Sequence, residues 1–257
     1  MLFADAALAR RIERIETAIA RGCAPADSGA VFEAAGGCAI FAGRDSPLTQ
    51  AVGLGLNGPV GERELDAVEA FFRTRGAAVK IDICPLADPG LLDALGGRGY
   101  RVTEFNNVLA RRLAGWETVP APRVRRATGG EEDLWARTVG LGFFENGSLS
   151  EEEMDVGRAV IAMPGADCYL AFDEGQAAAG AAMTAGQGLT VLFADSAIAR
   201  FRRRGLHRET IAARLNGASA QGCDMAAACT LPGSASQRNY ERFGFEVVYT
   251  RVTFTAY

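Results

Sequence analysis

The sequence predicts a mixed α+β fold with a mainly antiparallel sheet flanked by helices, and three observations predict it. First, a strand pattern over 189–194, a basic turn containing Gly205 and an amphipathic helix pattern over 206–220 follow one another closely. Second, two helical patterns, 131–142 and 151–162, precede two apolar strands that meet at Glu174-Gly175, a tight-turn dipeptide. Third, strand–helix–strand order recurs in the first half at a near-constant offset. Gly244 lies 145 residues after Gly99, and Gly222 lies 146 after Gly76. That recurrence points to two like folds in tandem rather than to a short repeat.

In the first half, a strand over 50–56 leads to Asn57-Gly58-Pro59-Val60-Gly61 and a helix over 62–75. A strand over 79–84, a helix over 89–95 and a strand over 101–110 follow. The segment 113–122 contains Gly115, Trp116, Pro120 and Pro122 between apolar strands. It reads as a linker, which places domains at 1–114 and 115–257. The second half opens with a strand over 124–127 and the two helices already named. The second of these has Ser148 or Ser150 available as cap and acidic residues suited to its dipole. Strands 168–173 and 176–185 form the meander. After the 206–220 helix come a strand over 224–230 and a short helix over 234–243.

Composition narrows the class. With 49% hydrophobic and 23% charged residues the chain reads as globular, and 257 residues suffice for two cores. A formal net charge of −4 argues against a general nucleic-acid binder. No apolar run has the length of a membrane span, and the start runs into Arg10, Arg11 and Arg14 without a long apolar core. The six cysteines form no metal-ligand spacing and fit a reducing cytoplasm. His207 is the only histidine, which weakens a zinc-hydrolase or Ser-His-Asp reading.

The basic turn carries the chemistry. The first amides of a helix lack internal partners, and the helix dipole adds positive charge there. Four arginines, Arg202, Arg203, Arg204 and Arg208, crowd this point and suit a diphosphate. Arg202-x-x-Gly205-x-His207 resembles the Arg/Gln-x-x-Gly-x-Gly/Ala turn of the GCN5-related N-acetyltransferases, with His207 in place of a small residue. Downstream, Ser236, Tyr240, Gly244 and Phe245 resemble the family's Asn-x-x-Ala/Ser-x-x-x-Tyr-x-x-x-Gly-Phe segment, with Gly233 where Asn is usual.

The resemblance covers roughly 124–257 and implies two acetyltransferase-like domains in tandem. It implies transfer of an acetyl group from acetyl-CoA to an amine by direct attack, with no metal. The first copy is degenerate by this reading: its turn has no arginine, Pro59 removes an amide, and Leu95 stands where Tyr240 stands. The family match assigns Ala197, Ile198 and Ala199 to the pantetheine arm and thioester. Arg203, Arg204, Gly205, Leu206, His207 and Arg208 then surround the pyrophosphate, and Ser236 lies along the cofactor. His207 either adds a side-chain hydrogen bond or caps locally.

Tyr240 is the candidate general acid, since a phenol stays protonated at neutral pH. The base is Asp195, or Glu145 in the loop between the first two helices, or a water chain with no base residue. The acceptor is a small-molecule or peptide amine. Neither nucleic acid nor membrane is an expected partner, and the chain is a monomer or dimer. The alternative is a non-catalytic acyl-CoA-binding module.

Overall fold

The structure, a computed structural model, describes residues 2, 4–144 and 147–256. In chain order the first elements are α1 (Ala6–Gly22), β1 (Ala30–Ala34), β2 (Gly37–Phe41), β3 (Gln50–Val52) and α2 (Glu62–Arg73). Next come β4 (Val79–Ile83), α3 (Gly90–Gly97) and β5 (Arg101–Arg112). The remainder is β6 (Val124–Arg126), α4 (Glu132–Phe143), α5 (Glu151–Ala162), β7 (Ala166–Asp173), β8 (Gln176–Gly186), β9 (Leu189–Ala197), α6 (Leu206–Ala220), β10 (Met225–Thr230), α7 (Ala235–Arg242) and β11 (Glu246–Ala256).

The chain divides into two compact units, Met1–Val108 with Val247–Tyr257, and Leu109–Glu246. The break falls inside β5. Residues 247–256, which a boundary at 114 assigns to the second half, group with the first unit.

In the first unit the strands run in the order β1-β2-β3-β4-β11-β5. β1–β2 and β2–β3 are antiparallel, β3–β4 is parallel, and β11 pairs antiparallel with β4 through Val252↔Ile83 and Phe254↔Ile81. Its core joins Leu65, Val68 and Phe72 of α2 to Ile81, Leu91 and Leu95. The strand expected over 50–56 stops at Val52, because Gly53 and Gly55 take φ of +74° and +75° and turn the chain.

In the second unit the order is β5-β10-β9-β8-β7-β6. β6–β7, β7–β8 and β8–β9 form the expected antiparallel meander, and β9–β10 is parallel. Glu174 and Gly175 both have positive φ, the geometry of a two-residue hairpin whose twist matches its strands. Ser150, rather than Ser148, caps α5 and forms a capping box with Glu153. α4 lies on the sheet through Trp135, fully buried, whose indole N–H donates to the carbonyls of Tyr169 and Ala181. The segment 113–122 is docked on α6, where Asn216 accepts from the Trp116 indole at 3.0 Å and exchanges hydrogen bonds with the Val119 backbone.

Among the described residues no helix is long and apolar enough to cross a membrane.

Candidate active site

The site begins where two parallel strands part. β9 and β10 are in register from Leu189↔Met225 to Leu192↔Ala228, and β9 then runs on to Ala197. A bulge accompanies the parting. Ala182 faces Phe193 and Gly180 faces Ser196, so Ala194 and Asp195 oppose one residue of β8. Ala194 takes φ +55°, a left-handed conformation that costs an alanine on the order of 1 kcal/mol. The extra residue redirects Asp195, and Gly142 makes room for the residue after it, since a Cβ there would lie 2.0 Å from the Ser196 hydroxyl oxygen.

After β9 the chain makes a short 3-10 turn, Ala199–Phe201, and then the basic turn. Phe201 and Leu206 are buried in one cluster with Ala171, Ala178 and Ala179, while Arg202 to Gly205 are exposed between them. The turn is therefore pinned at both ends. Gly205, at φ +86°, caps α6 without any side-chain cap. The Arg204 carbonyl is held at 2.8 Å by Arg123, which also pairs with Glu209 and Asp173. The successive amides of Arg203, Arg204, Gly205, Leu206 and His207 meet no acceptor among the described residues. Such a run of outward amides at a helix start is an anion nest.

The four arginines divide by task. Arg204 pairs with Asp173 and Glu174 at 2.7 and 2.8 Å. Arg202 folds back to the carbonyls of Ala197 and Gly142 at 3.1 and 2.8 Å. Arg203 and Arg208 are exposed and have no side-chain hydrogen bond or ion pair among the described residues. Arg203 also has φ +63°, so its backbone is held in a strained left-handed form at the nest.

The groups assigned to the pantetheine arm are engaged within the chain. The Ala197 carbonyl accepts from Arg202, the Ile198 amide donates to Ala178 at 3.0 Å, and the Ala199 carbonyl accepts from the Arg202 amide at 3.2 Å. Ser236 sits half-buried in the first turn of α7, after the N-cap Ser234. Glu145 lies outside the described residues.

Asp195, His207 and Tyr240 come together with two residues that the motifs do not name, Arg214 and Asn239. The Tyr240 hydroxyl donates to Asp195 at 2.5 Å. Arg214, fully buried, binds the same carboxylate with both terminal nitrogens and lies 3.4 Å from the Tyr240 oxygen. Its remaining donors go to the carbonyls of Thr210, Ala182 and Phe193. The His207 ring packs edge-on against Tyr240 with centroids 5.7 Å apart, and its Nδ1 lies 3.0 Å from the Asn239 amide. His207 Nε2 approaches Asp195 to 3.1 Å without hydrogen-bond alignment.

Electrostatics follow from this packing. Burial opposes the Asp195 charge, but Arg214 and His207 outweigh it and hold the carboxyl well below the usual carboxylate range. Burial pushes the Tyr240 phenol well above its ordinary value, and Asp195 adds to that while Arg214 opposes it. The tyrosine therefore keeps its proton, and the aspartate keeps its charge. Arg214 had a signal in the sequence: it lies on the apolar helix face of Ile211, Leu215 and Ala218, where a charge needs a buried partner.

No family model matches the sequence, and no curated protein matches it. Solved structures do. A GCN5-related N-acetyltransferase from Kribbella flavida superposes with a TM-score of 0.66 at 19% identity, covering 95% of this chain and 94% of that one. A GCN5-related N-acetyltransferase from Sphaerobacter thermophilus gives 0.58 at 14% identity, over 89% and 75%. A tandem GNAT protein from the clavulanic acid biosynthesis pathway, solved without AcCoA, gives 0.55 at 15%, over 76% and 68%. The fold is thus the mixed α+β fold of the GCN5-related N-acetyltransferases, and its neighbours include a tandem member.

Proposed function

We propose that this chain is an N-acyltransferase that moves an acetyl group from acetyl-CoA to a small-molecule or peptide amine by direct attack. The observation that carries the reading is the open nest at 203–207, flanked by Arg203 and Arg208 at the parting of β9 and β10. The cofactor diphosphate lies on those amides with the two exposed guanidinium groups beside it, each contact worth about 1.5–3 kcal/mol. Arg204 and Arg202 serve as braces that shape the turn. The cofactor-binding part falls within 115–257; residues 1–114 are the degenerate copy, completed by β11. The protein works in the cytoplasm as a monomer or dimer and uses no metal.

In this reading Tyr240 supplies the proton to the leaving thiolate, turning its O–H from Asp195 as the charge develops. Asp195 is too acidic to take a proton from an ammonium group. It acts as a fixed anion that orients Tyr240 and Arg214, and the amine loses its proton to water. One observation favours a second reading, a non-catalytic acyl-CoA binder. The Tyr240 ring is 1% exposed, and its hydroxyl is already committed to Asp195. Titration calorimetry with acetyl-CoA tests the cofactor site, and thiol release with a panel of amines tests catalysis. Absence of acetyl-CoA binding rejects both readings; binding without thiol release selects the second.

A further inference from the structure

Donors crowd Asp195, and one of them is idle. His207 Nε2 is buried, lies 3.1 Å from Asp195 Oδ1, and makes no hydrogen bond among the described residues. A buried polar atom left unmet costs stability. The ring belongs to the chain's only histidine.

Which ring nitrogen carries the proton follows from α7. Arg242 donates to the side-chain oxygen of Asn239, one turn back, at 2.9 Å. That leaves the Asn239 NH2 group facing His207 Nδ1, 3.0 Å away. Nδ1 therefore accepts, and the neutral ring keeps its proton on Nε2, the atom beside Asp195. The residue is held from two sides. Its ring packs edge-on against Tyr240, and its carbonyl accepts from the Thr210 hydroxyl at 2.9 Å.

The Asp195 carboxylate is unevenly filled. Oδ2 accepts from the Tyr240 hydroxyl at 2.5 Å and from Arg214 at 3.2 Å. Oδ1 accepts from Arg214 alone among the described residues, and a carboxylate oxygen can accept two hydrogen bonds. Phenol and guanidinium together fix the plane of the group. The remaining lone pair on Oδ1 and the idle Nε2–H are thus close but misaligned. Once the phenol leaves, the carboxylate can turn about its last torsion, which is broad, and Oδ1 can meet the imidazole N–H.

We propose that His207 is the stand-in donor for Tyr240. When the phenol turns its O–H from Asp195 toward the leaving thiolate, the His207 Nε2–H closes onto the carboxylate and takes its place. His207 neither gains nor loses a proton; one hydrogen bond to Asp195 is exchanged for another. The aspartate charge stays met while the phenol is away, so the commitment of Tyr240 to Asp195 is no obstacle to chemistry. On the reading of Tyr240 as the proton donor, on which this rests, His207 is a positioning residue that acts through Asp195.

A single histidine makes the test direct. The full chain, isotope-labelled at the histidine nitrogens, is read by NMR at mildly alkaline pH. In the wild type the proton should sit on Nε2, with Nδ1 as acceptor. In Tyr240→Phe, which removes the phenolic donor and little else, the Nε2 proton should move downfield and exchange with water more slowly. Adding Asp195→Asn should reverse most of that shift. A proton on Nδ1 in the wild type overturns the proposal, whether or not the variants fold; so does an Nε2 signal that Tyr240→Phe leaves unmoved. In thiol release with an amine from the panel, His207→Ala should lower kcat by about tenfold or more at unchanged acetyl-CoA affinity. His207→Gln, which keeps an N–H near the place of Nε2, should restore most of it. Equal losses in the two variants, or a loss of affinity alone, would leave His207 in the anion nest only and overturn the proposal. If Tyr240→Phe releases thiol as fast as the wild type, the proton-donor reading falls instead, and the histidine spectra still decide whether His207 replaces the phenol on Asp195.

Discussion

Helices α2 and α6 start at corresponding places in the two units, and they start in opposite ways. At α2 the amide of Gly61 is taken by the Glu64 carboxylate at 2.9 Å, and Glu62 and Glu64 fill the first turn with negative charge. Arg98 then binds Glu62, Asp66 and Glu69. At α6 the cap is a bare glycine, five amides are left outward, and two exposed arginines stand by. The same strand–turn–helix yields a closed, self-satisfied helix start in one unit and an open one in the other. A helix start that makes no internal cap forgoes about 0.3–1.5 kcal/mol of stability, and an anion can restore it. The tyrosine position repeats the contrast. Leu95 is a fully buried core residue in the first unit, whereas Tyr240 carries a hydroxyl into a charged network in the second.

The contrast can be broken at several points. The largest effect belongs to Tyr240→Phe. If the phenol protonates the thiolate, kcat falls by roughly 10²–10⁴-fold with little change in acetyl-CoA affinity. A change of a few-fold, measured where chemistry limits the rate, would remove Tyr240 as the proton donor.

Next comes Arg203→Ala with Arg208→Ala, expected to weaken acetyl-CoA binding by about a hundredfold or more by calorimetry. Arg204→Ala, whose guanidinium is spent on Asp173 and Glu174, should cost only a few-fold. An equal loss in the two variants would show that the turn's arginines do not divide as described.

Opening the closed start sharpens the comparison from the other side. Glu64→Ala should lower stability by about 0.3–1.5 kcal/mol in denaturant unfolding. It should not create a second acetyl-CoA site, so the titration stays at one per chain. Two equivalents would mean that the cap alone had kept the first unit silent.

The smallest effect concerns pH. Burial raises the carboxyl pKa of Glu16 and Asp82, which share Arg251 with Glu13, whereas that of Asp195 is lowered. A raised carboxyl binds its proton more readily in the folded state, so its contribution is present at low pH and is lost as pH rises above the usual carboxylate range. Asp195 has the opposite sign: its contribution is present at neutral pH and lost only as pH falls through its lowered value. Asp82→Asn should therefore raise Tm at pH 8 by about 2–4 °C, the equivalent of about 1 kcal/mol, and by progressively less toward pH 4. A benefit that grows on acidification would reverse the assignment.

Much of the second unit was legible in the sequence because glycine and arginine mark turns by their backbone and charge. The helix over 206–220 has those bounds in the structure, and the tight turn at Glu174-Gly175 is a hairpin. The Asp195–Arg214 pairing was not legible, since it depends on a bulge at Ala194 that no motif records. β11 was hidden for a different reason. Its fully buried residues are Tyr249, Arg251, Thr253 and Thr255, while Phe254 and Ala256 on the other face pack half-buried against the first unit's core, so polarity does not alternate with burial. α1 carries Leu8, Ile12, Ile15 and Ile19 at helical spacing, a readable stripe that lies apart from the glycine turns on which the domain comparison rests.

β11 has a consequence for how the protein is made. It pairs with β4, so the first unit uses a strand that follows the whole of the second unit in sequence. On the ribosome, domains generally fold as they emerge, beginning from the N-terminus. Here the unit that emerges first must wait, with the edge of β4 unpaired, until residues 247–256 have cleared the exit tunnel, while every segment of the second unit is already outside.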